Sequence, residues 1–245
     1  MTPLESLPLA TSDVSLVEGL TETRALRRYL DEPVPDTVLR DILFAATRAP
    51  SGSNRQPFRF VVLRDGPRAN EAKRLIGVAA RAVWAAKVVN DGYVEGSGAV
   101  ADSAKARMAA TMQHFVDTID TVPAIVLPCL NRYRAPEHTE GSNVYPACQN
   151  LLLAARAYGY GGVMTMFHKD VEAELRDLLA IPPTTAVCAA ITLGKPTGSH
   201  GPVRRRPMAE LVYEDAWAVP APWAIDPPGT SFTSAGPPRT AASDV

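Results

Sequence analysis

Residues 23–63, TRALRRYLDEPVPDTVLRDILFAATRAPSGSNRQPFRFVVL, read as a helix, a polar loop and a strand in one unbroken run. Pro33 and Pro35 bracket a turn, and Pro35 suits the first position of a helix, where a missing N–H leaves no hydrogen bond unmade. Asp36 follows in the first turn, where a negative charge complements the helix dipole. Leu39, Ile42, Leu43 and Ala46 recur at i, i+3, i+4 and i+7, one apolar face of a helix that stops before Pro50. SGSNRQP (51–57) is too rich in small, hydrogen-bonding residues to be core. FRFVVL (58–63) is strongly β-prone and is closed by Arg64-Asp65-Gly66-Pro67.

Working outward, residues 1–19 form a weakly patterned leader with one short helix expected at Ser12–Leu20. Residues 70–89 read as a helix with Leu75, Val78, Ala79 and Ala82 as its stripe, followed by a glycine-rich break, DGYVEGSG. A second helix covers about 100–119, carried by Ala101, Ala104, Met108, Met112, Phe115 and Ile119. VPAIVLPCL (122–130) reads as a buried strand in which Pro128, unable to donate to a ladder, predicts an edge or a bulge. YPACQNLLLAARAYGYG (145–161) is a helix apolar nearly all round with Gly159 as its C-cap, a pattern that belongs in a core or at a subunit interface. GGVMTMF (161–167) is a strand, Asp170 is expected to cap a helix carrying Val171, Leu175, Leu178 and Leu179, and AVCAAITLG (186–194) is a central strand. The sum is a single mixed α/β domain, residues 20–217, followed by a proline-rich extension over 218–245 whose last 15 or so residues are expected to be disordered.

Composition narrows the function classes. Hydrophobic residues make up 46% and charged residues 21% of 245 residues, and 25 basic against 26 acidic side chains give a net charge of −1. No global field therefore steers the chain to nucleic acid or an anionic membrane. No run of about 18 apolar residues predicts a membrane span, and the N-terminus lacks the basic and apolar regions of a secretory signal. Cys129, Cys148 and Cys188 are too few and too scattered for a disulfide scaffold, which fits a reduced, cytoplasmic interior. The 22 prolines are about twice the usual share. They divide between the segments around Pro33, Pro35, Pro50 and Pro57 and the C-terminal extension.

Common site signatures are missing. GKPTG (194–198) does not meet the phosphate-loop spacing, and no GxGxxG opens a helix after a strand. His114, His138, His168 and His200 are isolated, and neither HExxH nor CxxC occurs, so no metal site is expected. What remains is a pattern of cations and small polar residues. Arg24, Arg27 and Arg28 precede the first clear helix, Ser51, Ser53, Asn54 and Gln56 fill the loop after it, and Arg204, Arg205 and Arg206 form a run near the end of the domain. Two readings stand: solvated charged faces and ordinary turn residues, or arginine forks gathered around an anion.

The same residues carry a resemblance. Residues 23–63 resemble the opening of the nitroreductase family of flavin enzymes: an Arg-rich segment, a Pro-x-Pro turn and helix, then a loop of the type APS-x-x-N-x-QPW-x-F. VYPACQNLLLAARAYGYGGVMTMF looks like that family's central helix and following strand. ITLGKPTG and PVRRRPMAELVYEDAW look like its closing LGxP…RRxPxxExV segment. The resemblance covers roughly residues 20–217.

It implies an α+β fold, a three-layer α/β/α sandwich with a mixed, mainly antiparallel sheet, built as an intertwined homodimer with FMN at the dimer interface. It also implies the roles of matched positions. Arg24 and Arg205 would hold the FMN phosphate with Arg204 or Arg206 nearby, and Ala25 stands where the family often has a serine, so one hydroxyl contact is lost. Arg27, or Arg28 by a one-residue shift, would approach the N1/O2 edge of the ring, where positive charge raises the reduction potential. Pro50, Ser51, Gly52, Ser53 and Asn54 would line the flavin, Gln56 would reach its pyrimidine or ribityl part, and Tyr145, Pro146 and Ala147 would come from the other subunit. Thr165 and Met166 would present backbone amides to N5. Phe58 replaces the usual Trp of QPW.

The implied activity is ping-pong hydride transfer through flavin N5. NADH or NADPH is the donor, and a small-molecule oxidant such as a nitroaromatic, quinone or activated alkene is the acceptor. No titrating catalytic side chain is needed. Reductive dehalogenation, flavin fragmentation and a non-catalytic flavin-binding or storage role are the alternatives. The substrate-covering insertion belongs at residues 84–115, where no lid feature is recognisable. Residues 218–230, with Trp217 and Trp223 as anchors, are expected to reach across the partner.

Overall fold

The computed structural model describes residues 8–233; the first seven residues of the leader and the end of the extension, expected to be disordered, lie outside the described residues. The chain enters through α1 (Leu16–Glu22), whose N-cap Ser15 accepts the Glu18 backbone N–H. Pro35 is extended (φ −61°, ψ 148°) and releases the chain into α2 (Asp36–Thr47), which buries Leu39, Ile42 and Ala46. The next strand and the two helices after it are β1 (Phe58–Leu63), α3 (Pro67–Asn90) and α4 (Ala104–Thr118). There follow β2 (Ala124–Asn131), α5 (Tyr145–Ala157), β3 (Gly161–Thr165), α6 (Glu172–Leu179), β4 (Thr185–Val187) and β5 (Ala190–Gly194). Helix α5 ends where Gly159 turns left-handed (φ 78°) and the Tyr160 N–H reaches back to the Ala155 carbonyl, a closure that glycine makes at least cost.

The sheet runs β1-β2-β5-β3 with every pairing antiparallel, and β4 joins β2 beside β5. Side chains of β2 alternate between two cores. Ile125, Leu127 and Cys129 face α3, α4 and α6, while Ala124 and Val126 face α2 and α5. Helices on both faces of one sheet make the three-layer α/β/α sandwich.

Pro128 does not lie at an edge, because β2 is paired on both sides. Cys129 stands opposite Val187 and Val126 opposite Ile191, so Leu127 and Pro128 face three residues, Cys188 to Ala190. That extra residue is a bulge. The Pro128 carbonyl accepts the Cys188 N–H at 2.8 Å, so the proline nitrogen faces the same neighbour, at the point where the ladder is interrupted and asks for no donor.

Three further expectations are corrected. Asp170 does not cap α6; it sits in a preceding 3-10 turn, and the N-cap position, Val171, makes no side-chain cap. Helix α3 buries Ala72, Ile76, Ala79, Ala80 and Trp84, whereas Val78 and Ala82 of the expected stripe are exposed. The helix is apolar on more than one side, and the larger Ile76 and Trp84 take the core. Helix α4 begins only at Ala104, capped by the Ser103 hydroxyl, and its Met108 is exposed.

Arg156 has no counterpart in the sequence reading. It is 6% exposed on α5 and pairs with Glu18 at 2.6 Å and Glu22 at 3.5 Å, one helical turn apart on α1. This ion pair ties the short α1 to α5. Arg156→Ala should cost about 1–3 kcal/mol, less than a fully buried pair because both glutamates are partly solvated. Urea denaturation should show the loss, and hydrogen exchange should show α1 opening first; unchanged α1 protection would refute the anchoring role.

Candidate active site

The segment after α1 is laid along the free edge of β3. The Leu26 N–H bonds the Gly162 carbonyl at 3.2 Å, Leu30 N–H bonds the Lys195 carbonyl at 2.8 Å, and Thr197 N–H bonds the Arg28 carbonyl at 3.1 Å. The approach is close enough that a Cβ on Gly161 would meet the Leu26 side chain at 2.7 Å. Farther along, Gly201 and Val203 N–H groups bond the Glu22 and Thr21 carbonyls, so residues 201–203 run back beside the end of α1.

This stitching brings two distant arginine groups into one cleft of about 600 Å³, lined by Arg24, Ala25, Arg27, Arg204 and Arg205, with Arg107 of α4 across from them. Among the described residues no carboxylate lines it. Backbone carbonyls aim the guanidiniums: Arg24 donates through Nε and Nη2 to Pro202 at 3.2 and 3.0 Å, and Arg205 through Nη1 to Arg204 at 2.9 Å. The Nε of Arg27 is buried without a hydrogen-bond partner among the described residues, and burial pushes its pKa down. A guanidinium desolvated in this way asks for an acceptor that the chain itself does not supply. Arg206 behaves differently, spending Nε and Nη2 on Glu210 at 2.8 and 2.6 Å. Arg28 is exposed and does not line the cleft.

The expected loop lies elsewhere. Ser53, Asn54 and Gln56 take left-handed φ values of 51°, 50° and 49°, a conformation that costs non-glycine residues energy. Local bonds hold it. The Gln56 N–H donates to the Ser51 hydroxyl at 2.9 Å, the Gln56 amide to Asn54 Oδ1 at 3.0 Å, and the Gly52 N–H to Oδ1 of buried Asn143 at 2.9 Å. Asn143 thereby ties the loop to the start of α5, where Tyr145 is exposed and its hydroxyl donates to the Cys188 carbonyl at 3.4 Å. Pro50 is exposed and Pro146 half-buried, but Ala147 is wholly buried against the α2 core and presents no surface.

Within one chain the two groups do not meet. The loop precedes β1, three strand spacings, about 14 Å, from β3. It also lies at the opposite end of the sheet, since Phe58 is level with Leu130 whereas Gly162 is level with Leu193 and Ala124. Thr165 and Met166 occupy the far end of β3, about 10 Å along the strand from Gly162, with the Thr165 hydroxyl on the Ala190 carbonyl. Residue type and similarity pointed to Arg24, Arg27, Arg204 and Arg205; neither pointed to Arg107 or to His200.

His200 positions the cleft. Its Nδ1 accepts the Arg24 backbone N–H at 3.2 Å while Nε2 faces the Tyr160 carbonyl at 3.2 Å, a pair of bonds that only the neutral Nε2–H tautomer makes. No cluster of metal ligands is assembled among the described residues, and no helix there is long and apolar enough to cross a membrane. The cysteines are free thiols; burial pushes Cys129 and Cys148 up to about 12 and Cys188 to about 11, so none is a nucleophile at neutral pH.

Comparison with known proteins gives the family and the fold. The sequence model described as the nitroreductase family matches residues 20–195. A Thermus thermophilus protein named NADH dehydrogenase is 32% identical over 77% of the chain and 90% of its own length. A Desulfovibrio desulfuricans structure, described as a nitroreductase in complex with FMN, aligns with a TM-score of 0.60 at 30% identity, covering 82% of this chain and 96% of that one. Nitroreductase A of Vibrio parahaemolyticus shares the fold with a TM-score of 0.58 at 19% identity, over 82% of this chain and 76% of its own.

The two half-buried or buried histidines set a pH dependence. Burial lowers the pKa of His200 and of His168, whose ring nitrogen Nε2 bonds the Val187 carbonyl at 2.9 Å. The unfolded chain takes up protons as pH falls through about 6.5, while the folded chain resists until its lower pKa values are reached. Stability is therefore full above about pH 7 and declines on acidification. The urea midpoint should be lower at pH 5.5 than at 7.5, and His200→Gln, which keeps an acceptor but does not titrate, should flatten that slope.

Proposed function

The chain belongs to the nitroreductase family, and on that premise we propose that it is an FMN-dependent NAD(P)H oxidoreductase. It acts as a homodimer and passes electrons from NADH or NADPH to a small-molecule oxidant such as a nitroaromatic, quinone or activated alkene. The arginine cleft carries this reading. A phosphomonoester holds close to two negative charges at neutral pH, and the cleft offers arginine forks with no competing carboxylate. When bound, FMN supplies the reversible two-electron exchange that lets two reactants use one site in turn.

The chain's own residues do the rest. Arg24 and Arg205, aimed by backbone carbonyls, bind the phosphate. Arg27, with its buried unpartnered Nε, places positive charge against an electron-rich acceptor, which is what an isoalloxazine ring presents as it gains electrons. Thr165 and Met166 lie at the other end of β3, about 10 Å from Gly162, and would meet the ring there. Because loop 51–56 and Tyr145 are remote from the cleft in one chain, they complete the site from a second copy.

Uncovered apolar surface supports that assembly. Leu16 of α1 and Phe44 of α2 are exposed and line a groove of about 510 Å³ floored by α5, and Val17 and Leu20 are exposed elsewhere on α1. The C-terminal extension leaves Trp217 88%, Trp223 61% and Ile225 76% exposed, as a segment that crosses a partner subunit would.

Three measurements test the reading. The purified protein should be yellow, and NADH or NADPH without oxygen should bleach it near 450 nm, roughly the oxidised flavin band; a colourless protein that also fails to take up added FMN would sink it. Arg205→Ala should weaken FMN binding about tenfold or more, the cost of one charge-assisted contact. Arg206→Ala, whose charge is already matched by Glu210, should have little effect, so equal small effects would leave the run a solvated face. Sedimentation should give about 52 kDa, twice the 26.2 kDa chain, and a flavin-loaded monomer would contradict a shared site.

A further inference from the structure

We propose that Arg107 forms a second anion subsite in the arginine cleft, apart from the one that holds the cofactor phosphate. It recognises a carboxylate or phosphate on the reactant that exchanges electrons with the cofactor. The inference rests on the reading above and gives it a substrate class: anionic reactants.

The argument starts from charge. Five arginines, Arg24, Arg27, Arg107, Arg204 and Arg205, line one cleft that no carboxylate of the described residues lines, in a chain whose net charge is −1. The other cations on the described surface are commonly neutralised locally, as Arg64 is by Asp36, Arg74 by Glu71, Arg132 by Glu140 and Arg206 by Glu210. One phosphomonoester balances about two of the five. The remaining like charges are left without a counter-charge from the described residues, and a second anion would offset them.

Geometry assigns the surplus to Arg107. Arg24, Arg204 and Arg205 sit on two segments bonded to each other, so they form one cradle. Arg107 comes from a third element, α4, and is aimed separately. Its Nη1 donates to the carbonyl of Asp102, and Asp102 takes a left-handed φ of 58° just before the helix. The neighbouring cation of α4, Lys105, is turned away to the Asp91 carbonyl at 2.9 Å and the Tyr93 ring. Met108, 46% exposed, lines the cleft beside Arg107 and offers a soft apolar surface to a ring attached to the anion. Arg107 and Met108 thus give the 84–115 insertion a recognition feature of its own.

Isothermal titration calorimetry on the flavin-loaded protein tests the subsite without turnover, using benzoate against neutral benzamide and adenosine 2′-phosphate against adenosine. The wild type should prefer at least one anion to its neutral partner. Arg107→Gln should weaken that anion about 10- to 100-fold, the range of one charged hydrogen-bonding contact, with FMN content and binding of the neutral probes unchanged. A loss confined to benzoate assigns the anion to the oxidant; a loss confined to adenosine 2′-phosphate assigns it to a phosphorylated nicotinamide donor. Three results overturn the proposal: a wild type indifferent to both anions, Arg107→Gln binding them as the wild type does, or Arg107→Gln losing FMN as severely as Arg205→Gln. If the wild type takes up no FMN, the FMN reading fails instead, and the same titrations of the apoprotein still compare Arg107 with Gln.

Discussion

The close approach of residues 24–30 to β3 is the constraint from which the cleft follows. A strand edge with free N–H and C=O groups must be covered or paired, and here it takes Leu26 onto Gly162. A side chain on Gly161 would forbid the arrangement, because its Cβ meets Leu26, and one on Gly162 would disturb the β3–β5 pairing beneath it by meeting the Thr192 carbonyl at 2.4 Å. Once the segment is seated, Arg24 and Arg27 fall on one side of it. The chain leaving β5 is bonded to its other residues and must carry Arg204 and Arg205 back to the same place. A sheet edge, two glycines and a return loop thus do what no contiguous motif does.

The arginines divide by what neutralises them. Arg156 is buried and matched by two glutamates, so its charge is spent on holding α1. Arg24 and Arg205 are held by carbonyl oxygens, which orient a guanidinium without cancelling its charge. The first arrangement neutralises its charge through Nη2, although Nε and Nη1 are buried without partners among the described residues; the second leaves a directed positive field of the kind that an anionic ligand completes. A residue count alone, 25 basic against 26 acidic, conceals that difference entirely.

Much of the fold was legible because local rules governed it. The helix start at residues 35–36, the 58–63 strand and the Gly159 closure each depend on residues within one turn of the feature, although Pro35 is the extended N-cap and not the first helical residue. What was illegible depends on neighbours. Pro128 reads as an edge signal until a bulge in the facing strand removes the demand for its N–H. The buried face of α3 was misassigned because Val78 and Ile76 satisfy periodicity equally well, and only packing against β-strand side chains selects Ile76. At the site, Arg24 and Arg205 could be named from residue type and similarity, whereas Arg107 sits in a helix whose pattern says nothing about a cleft on its outer side. Ala147 shows the converse: a matched position whose methyl group is consumed by the core.

The separation of loop 51–56 from the cleft has a thermodynamic consequence in the proposed dimer. Three consecutive-region residues, Ser53, Asn54 and Gln56, hold left-handed backbones on an exposed loop, and such strain persists only where surrounding bonds over-determine it. Ser51 and Asn143 supply part of that restraint from within the chain, so the loop is formed before any partner arrives. A preformed half-site lowers the ordering cost of association, and a ligand that touches both halves binds the assembled state better than the separated chains. Cofactor and assembly then stabilise one another by the same free energy. In that proposed dimer Arg24 and Arg205 would retain uncompensated charge in the single chain, and the anion proposed to complete them would also help to hold the second copy in place.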